Sequence, residues 1–155
     1  GLPWVGPQVA LAGGLLGRAW RSELAATYRA PSRVLAADAP GVGAWIRMWT
    51  LAARGCGVLR PERLELGLCG GIEAGQAIGE AYGYPGARRD PIPWLAVTLG
   101  PTLSWSPRRW FAVWFAPELA IPALRGRFSA TGLGTLYRIH AVSLRLGLGL
   151  ELRFF

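Results

Sequence analysis

The sequence predicts an all-β fold, an antiparallel up-and-down transmembrane β-barrel, on three observations. First, from Val142 to Phe154 every second residue is large and apolar: Val142, Leu144, Leu146, Leu148, Leu150, Leu152 and Phe154 alternate with Ser143, Arg145, Gly147, Gly149, Glu151 and Arg153. A period of two puts a leucine stripe on one face of a strand and charges with glycines on the other, whereas a helix would scatter it. The run is about twice the usual strand of five or six residues and matches the roughly 9–11 residues with which a tilted strand crosses a bilayer. Second, 52% of the residues are hydrophobic and only 17% are charged, yet no stretch of about 18 apolar residues exists to form a membrane helix. Third, the links between alternating segments are themselves short and long by turns, as in barrels with tight turns at one end and loops at the other.

The segments are 7–16, 18–29, 43–55, 63–79, 93–106, 109–124 and 140–154, seven strands in one domain spanning 1–155. In 18–29, Trp20, Leu24, Ala26 and Tyr28 face one way and Arg21, Glu23, Ala25, Thr27 and Arg29 the other, with Ser22 out of pattern. In 43–55, Arg47 asks for the odd residues inside, which also sends Trp45, Trp49 and Leu51 inward, so a bulge is expected there. In 63–79, Leu64, Leu66, Leu68 and Ile72 oppose Glu65, Gly67, Cys69, Gly71, Glu73 and Gly75. In 93–106, Leu95, Val97, Leu99, Leu103 and Trp105 oppose Ala96, Thr98, Gly100, Thr102 and Ser104; in 109–124, Phe111, Val113, Phe115, Leu119 and Ile121 oppose Trp110, Ala112, Trp114, Ala116 and Glu118. Pro101, Pro117 and Pro122 lack the N–H a ladder needs, so pairing should break locally. Short links fall at 17–19, 56–62 and 106–109, and long ones at 30–42, 80–92 and 125–139.

The final residues 144–154, LRLGLGLELRF, resemble the C-terminal signal of small Gram-negative outer-membrane β-barrel proteins, in which alternating hydrophobics close on an aromatic read by the barrel-assembly machinery. The resemblance implies that Leu148, Leu150, Leu152 and Phe154 form that signal, with Phe155 one residue beyond the in-phase aromatic. It also implies a chain in the bacterial outer membrane, and there the alternation of short periplasmic turns with long extracellular loops makes the last strand run from outside to inside. Such barrels have an even number of strands and both termini in the periplasm. An eight-stranded type with seven strands visible is therefore expected, its first strand lying before Gly1. The outward aromatics Trp20, Trp105, Phe111 and Phe154 then lie at the periplasmic interface, and Tyr28 and Tyr137 at the extracellular one.

The formal charge is +8, from 17 basic residues, all Arg, against 9 acidic ones. The inward positions hold Arg21, Arg29, Arg47, Arg145 and Arg153 against Glu23, Glu65, Glu73, Glu118 and Glu151, a lumen neutral by pairing. A barrel of about eight strands is just wide enough inside for its own side chains, and charges there must be paired. The excess charge sits in links, without the basic stripe and aromatic platform that nucleic acid needs. In the long loops Arg33, Arg88, Arg89, Arg125, Arg127 and Arg138 outnumber the acids and are either simply solvated loop charge or suited to bidentate contact with lipopolysaccharide phosphates.

Cys56 and Cys69 flank one short periplasmic turn in an oxidising compartment, so a disulfide is expected, a few residues out of register across the hairpin. Two cysteines and a single histidine, His140, make no metal site, and no cofactor is called for. Barrels that deacylate lipid A place a His and a Ser two apart on one strand face; His140 and Ser143 are three apart, on opposite faces. The expected function is non-enzymatic: a monomeric barrel with a salt-bridged lumen and basic loops, in a structural or surface-interaction role, with membrane lipid, lipopolysaccharide and the assembly machinery as partners. A narrow, porin-like solute channel is the alternative, and an outer-leaflet lipid hydrolase a more distant one.

Overall fold

Seven antiparallel strands follow one another in chain order and curl into a half-barrel: β1 (Gln8–Leu16), β2 (Trp20–Leu35), β3 (Gly43–Leu59), β4 (Leu64–Tyr82), β5 (Arg89–Arg108), β6 (Phe111–Pro122) and β9 (Ser143–Leu152). A separate two-stranded hairpin, β7 (Arg127–Ala130) and β8 (Gly134–Arg138), occupies the link between β6 and β9. This computed structural model describes residues 7–35, 43–82, 89–124, 127–130, 134–138 and 142–154, with backbone alone at 33–35, 81–82, 89–90, 127–130 and 134–138. No helix occurs among the described residues.

The alternation read from the sequence sets the two faces. Outward, Leu144, Leu146, Leu148, Leu150 and Leu152 stand exposed on β9, Leu148 at 76%, and Phe154 beyond the strand at 91%. Trp20 and Trp105 are exposed at the short-turn end, as are Tyr28 and Trp49, which face each other in the β2–β3 ladder, toward the long-loop end. Inward, Met48, Ala77, Trp94 and Ala96 form a small buried cluster. Small inward residues let the sheet curl. A side chain at Gly75 would fall on the carbonyl oxygen of Trp49, so only glycine admits that approach of β3 to β4. On β9, Gly147 and Gly149 lie under the Trp114 ring of β6, where a Cβ would stand 2.8 and 2.6 Å from ring atoms.

The strands run further into the links than their alternation indicates, because main-chain pairing continues: β4 has 19 residues and β5 has 20. The turn between β3 and β4 is correspondingly tighter. Gly57, Val58 and Leu59 pair with Leu68, Gly67 and Leu66, which brings Cys56 directly opposite Cys69 rather than out of register. In β3 the even residues face in and the odd ones out, contrary to the expectation built on Arg47. Ile46, Met48, Thr50, Ala52, Arg54, Cys56 and Val58 make one continuous inward set, and Trp45, Trp49 and Leu51 an outward one. One charge does not outweigh those two stripes. The β3–β4 ladder is unbroken, and the irregularity lies instead between Arg29 and Ser32, on either side of Pro31, in β2. Pairing between β5 and β6 lapses from Gly100 to Thr102, where Pro101 stands opposite Pro117 and neither has an N–H to give, and it resumes in the same register. No ladder joins β1 to β9 among the described residues, and β1 is exposed on both faces.

Candidate functional site

The concave face holds a continuous chain of ion pairs, assembled from residues far apart in sequence. Arg21 on β2 is the hub at the short-turn end. It bonds Glu23 two residues on, Glu65 of β4 at 3.2 Å and Glu151 of β9 at 2.8 Å. Arg153 pairs with Glu151 at 2.7 Å and Glu65 at 3.6 Å, and donates to the Ser104 hydroxyl at 3.3 Å. Glu65, only 2% exposed, also accepts from Arg60 Nε at 2.6 Å. Arg60 in turn donates to the carbonyls of Gly17 and, at 2.8 Å, Arg18, tying one short turn to the next.

Arg54 carries the chain across the interior. Its guanidinium lies 3.6 Å from Glu23 on β2 and 3.1 Å from Glu118 on β6. Glu118 is 3.8 Å from Arg145, its cross-strand neighbour on β9. Arg145 then donates from Nη1 and Nη2 to Glu73 at 2.5 and 3.1 Å, and Glu73 accepts a third bond, 2.6 Å long, from the Trp94 indole. The guanidinium carbon of Arg145 sits 5.9 Å from the centre of that indole ring, within cation–π range. Every carboxylate thus has at least one guanidinium within ion-pair distance, as buried charge requires.

Five arginines meet five glutamates, but two of the arginines are not those read from the alternation. Arg54 and Arg60 belong to the network. Arg29 faces in but bonds Gln8, at 3.2 Å, and lines a cavity of about 10 Å³ with Glu73 and Arg145. Arg47 faces out, 34% exposed, and pairs with Glu80 of β4 at 3.5 Å. The even parity of β3 was the available signal for Arg54. Arg60 lies in a link, where period two carries no facing information.

Cys56 and Cys69 form a disulfide across β3 and β4 on the inward side, beside Arg21, which pairs with Cys56 in the β2–β3 ladder. Leu148, Leu150 and Leu152 lie on the exposed outer face of β9, with Phe154 exposed just beyond it. Arg88 and Arg125 lie outside the described residues, and Arg33, Arg89, Arg127 and Arg138 are placed by backbone alone, in strands at the long-loop end. His140, Phe155 and the side chain of Tyr137 also lie outside the described residues; the Ser143 hydroxyl is 3.5 Å from the Ala120 carbonyl.

No family model, curated protein or solved structure matches this chain. What the arrangement does must therefore be read from its chemistry. All ten charged groups of the network are engaged with one another, and the half-open cavity beside Arg145 is about 10 Å³, room for about one water molecule. The ion pairs link β2, β3, β4, β6 and the β9 end of the sheet across its concave face.

Proposed function

We propose that this chain is an integral β-barrel of a bacterial outer membrane, closed by an eighth strand and filled by its ion-pair network, in a structural or surface-interaction role. One observation carries the reading: the faces are inverted relative to a soluble protein. The convex face is apolar and uncovered, while guanidinium and carboxylate groups fill the concave one. In water that outer face would be a contiguous apolar patch far beyond a monomer's few hundred Å²; in hydrocarbon it is the required surface. From Trp20 to Tyr28 on β2 is eight residues, roughly 26 Å along the strand, which at a barrel tilt of about 40° spans roughly 20 Å along the membrane normal, most of the apolar band of about 25 Å between aromatic girdles.

The eight-strand count has its own support. As first and seventh in an antiparallel sheet, β1 and β9 run in the same direction, so a single strand antiparallel to both joins them. The network supplies a ruler. Arg54 of β3 reaches Glu118 of β6, and Arg145 of β9 reaches Glu73 of β4, each across two intervening strands. Arg21 of β2 reaches Glu151 of β9 with the same kind of contact, and β1 plus one further strand between them gives the same span. Hydrocarbon tolerates no unpaired strand edge.

In this reading the lipid meets the leucine face, the stripe ending at Phe154 is the element the assembly machinery recognises, and the arginines of the long loops face lipopolysaccharide. The test is reconstitution. The protein should require detergent or lipid, enter liposomes with β-type circular dichroism, and show no conductance above background in planar bilayers. A chain that stays monodisperse in plain buffer overturns the membrane reading. Regular conductance steps overturn the filled lumen and favour a narrow channel.

A further inference from the structure

The short turns build a second site that the network does not use. Between the β3–β4 turn, the β5–β6 turn and the end of β9 lies an open cavity of about 380 Å³, lined by Arg60, Arg63, Arg108, Arg109 and Arg153 against Glu62 and Glu65. Its floor is the ion-pair network itself, since Glu65 is held by Arg21, Arg60 and Arg153. Those charges are spent. Glu62, Arg63, Arg108 and Arg109 make no ion pair among the described residues, and the three arginines are exposed. Three uncommitted guanidinium groups from two different turns therefore face one pocket with a single uncommitted carboxylate.

The turns are held in place. Arg60 clamps the first from inside, the Leu64 N–H donates to the Pro61 carbonyl at 2.9 Å, and the Ser106 N–H donates to the Arg63 carbonyl at 2.8 Å, so the first turn is joined by a backbone bond to the end of β5 that leads into the second. Glu62 sits at φ 52°, the left-handed backbone that a tight hairpin turn needs. Arginines carried on held turns differ from charges on loose loops because less loop freedom is lost on binding.

We propose that this vestibule binds a phosphate-bearing anion, with Arg63, Arg108 and Arg109 as its ligands. Guanidinium groups present paired N–H donors that match phosphate oxygens, and the volume falls in the range of small-molecule sites. The phosphate belongs either to a soluble compound or to a lipid headgroup. The site stands on the described turns and is independent of whether the sheet spans a membrane.

The experiment uses the full chain folded in zwitterionic micelles, with inorganic pyrophosphate as the titrant in calorimetry at low and high salt. Wild type should bind saturably at one site, more weakly as salt rises. Arg108→Gln/Arg109→Gln should weaken binding by about tenfold or more, since each charge-assisted bond carries that much. Arg63→Gln, in the other turn, should also weaken it severalfold and decides the matter alone if the double variant does not fold. Arg18→Gln removes the same charge from the neighbouring turn outside the cavity and should change affinity less than about twofold. Native mass spectrometry with phosphatidylglycerol and phosphatidylcholine distinguishes the sources. Phosphatidylglycerol retained by wild type, displaced by pyrophosphate and lost in the variants assigns a headgroup; no retention, with pyrophosphate still bound, assigns a soluble ligand. Absence of saturable pyrophosphate binding to wild type, or equal weakening by Arg18→Gln, overturns the site.

Discussion

Replacing Arg145 by methionine removes the one guanidinium among the described residues that holds Glu73 while keeping a long apolar stem in its place. Glu73 has a side chain only 5% exposed and Arg145 one only 12% exposed, so solvent does little to compensate the loss. Two hydrogen bonds to a charged group disappear, each worth about 1.5–3 kcal/mol, and breaking one partner of a buried pair costs about 3–5 kcal/mol in all. The expected value is near the lower end, about 3 kcal/mol, because Arg29 lines the same small cavity as Glu73 and can turn toward the stranded carboxylate. Glu118 keeps Arg54 at 3.1 Å, so the damage stays local. Urea unfolding of protein folded in lipid vesicles, followed by tryptophan fluorescence, measures it in Arg145→Met, Glu73→Gln and the double variant. The double variant should recover at least about 1.5 kcal/mol of the summed single losses, since neither group is then left alone. Additivity within about 0.5 kcal/mol would refute the claim that these two charges hold each other inside the sheet.

Other expectations are simpler. Leu148→Arg should lower stability in vesicles by about 2–4 kcal/mol if the leucine face lies in hydrocarbon, whereas at a position 76% exposed to water the same change would cost next to nothing; the folding yield in vesicles compared with Leu148→Ala reads the difference. Cys56→Ala/Cys69→Ala releases a loop closed over a separation of 13 residues and should cost about 3 kcal/mol on the chain-entropy model, with a Cys56–Cys69 cross-linked peptide recovered from wild type under non-reducing digestion. Gly75→Ala drives a methyl group into the β3 backbone and should cost about 1–3 kcal/mol, while Gly55→Ala, with nothing within 4 Å of its new Cβ, should stay within about 0.5 kcal/mol.

Alternation by itself determined the seven strands of the main sheet, the faces of all but β3 and the sense of their connections, because in a sheet the side-chain period is two whatever the strand pairs with; it did not show the β7–β8 hairpin within the link 125–139. It placed Glu65, Glu73, Glu118, Arg145 and Arg153 on the concave side without any knowledge of their partners. It failed where a residue's facing depends on the rest of its strand or on no strand at all. Arg47 was read as one charge seeking the interior, and the stripes on either side of it carried it out to Glu80. Arg60 lies in a turn, and only the folded chain brings it within 2.6 Å of Glu65. Tertiary structure alone decided who bonds whom: Arg145 to Glu73 across 72 positions of sequence, Arg54 to Glu118 across 64. Such contacts are set by the curl of the sheet, which depends on glycines, prolines and the bulk of Trp114 acting together. The three uncommitted arginines of the short turns came together for the same reason. Turn length fixes that two turns lie at one end, but only the register between strands sets them side by side.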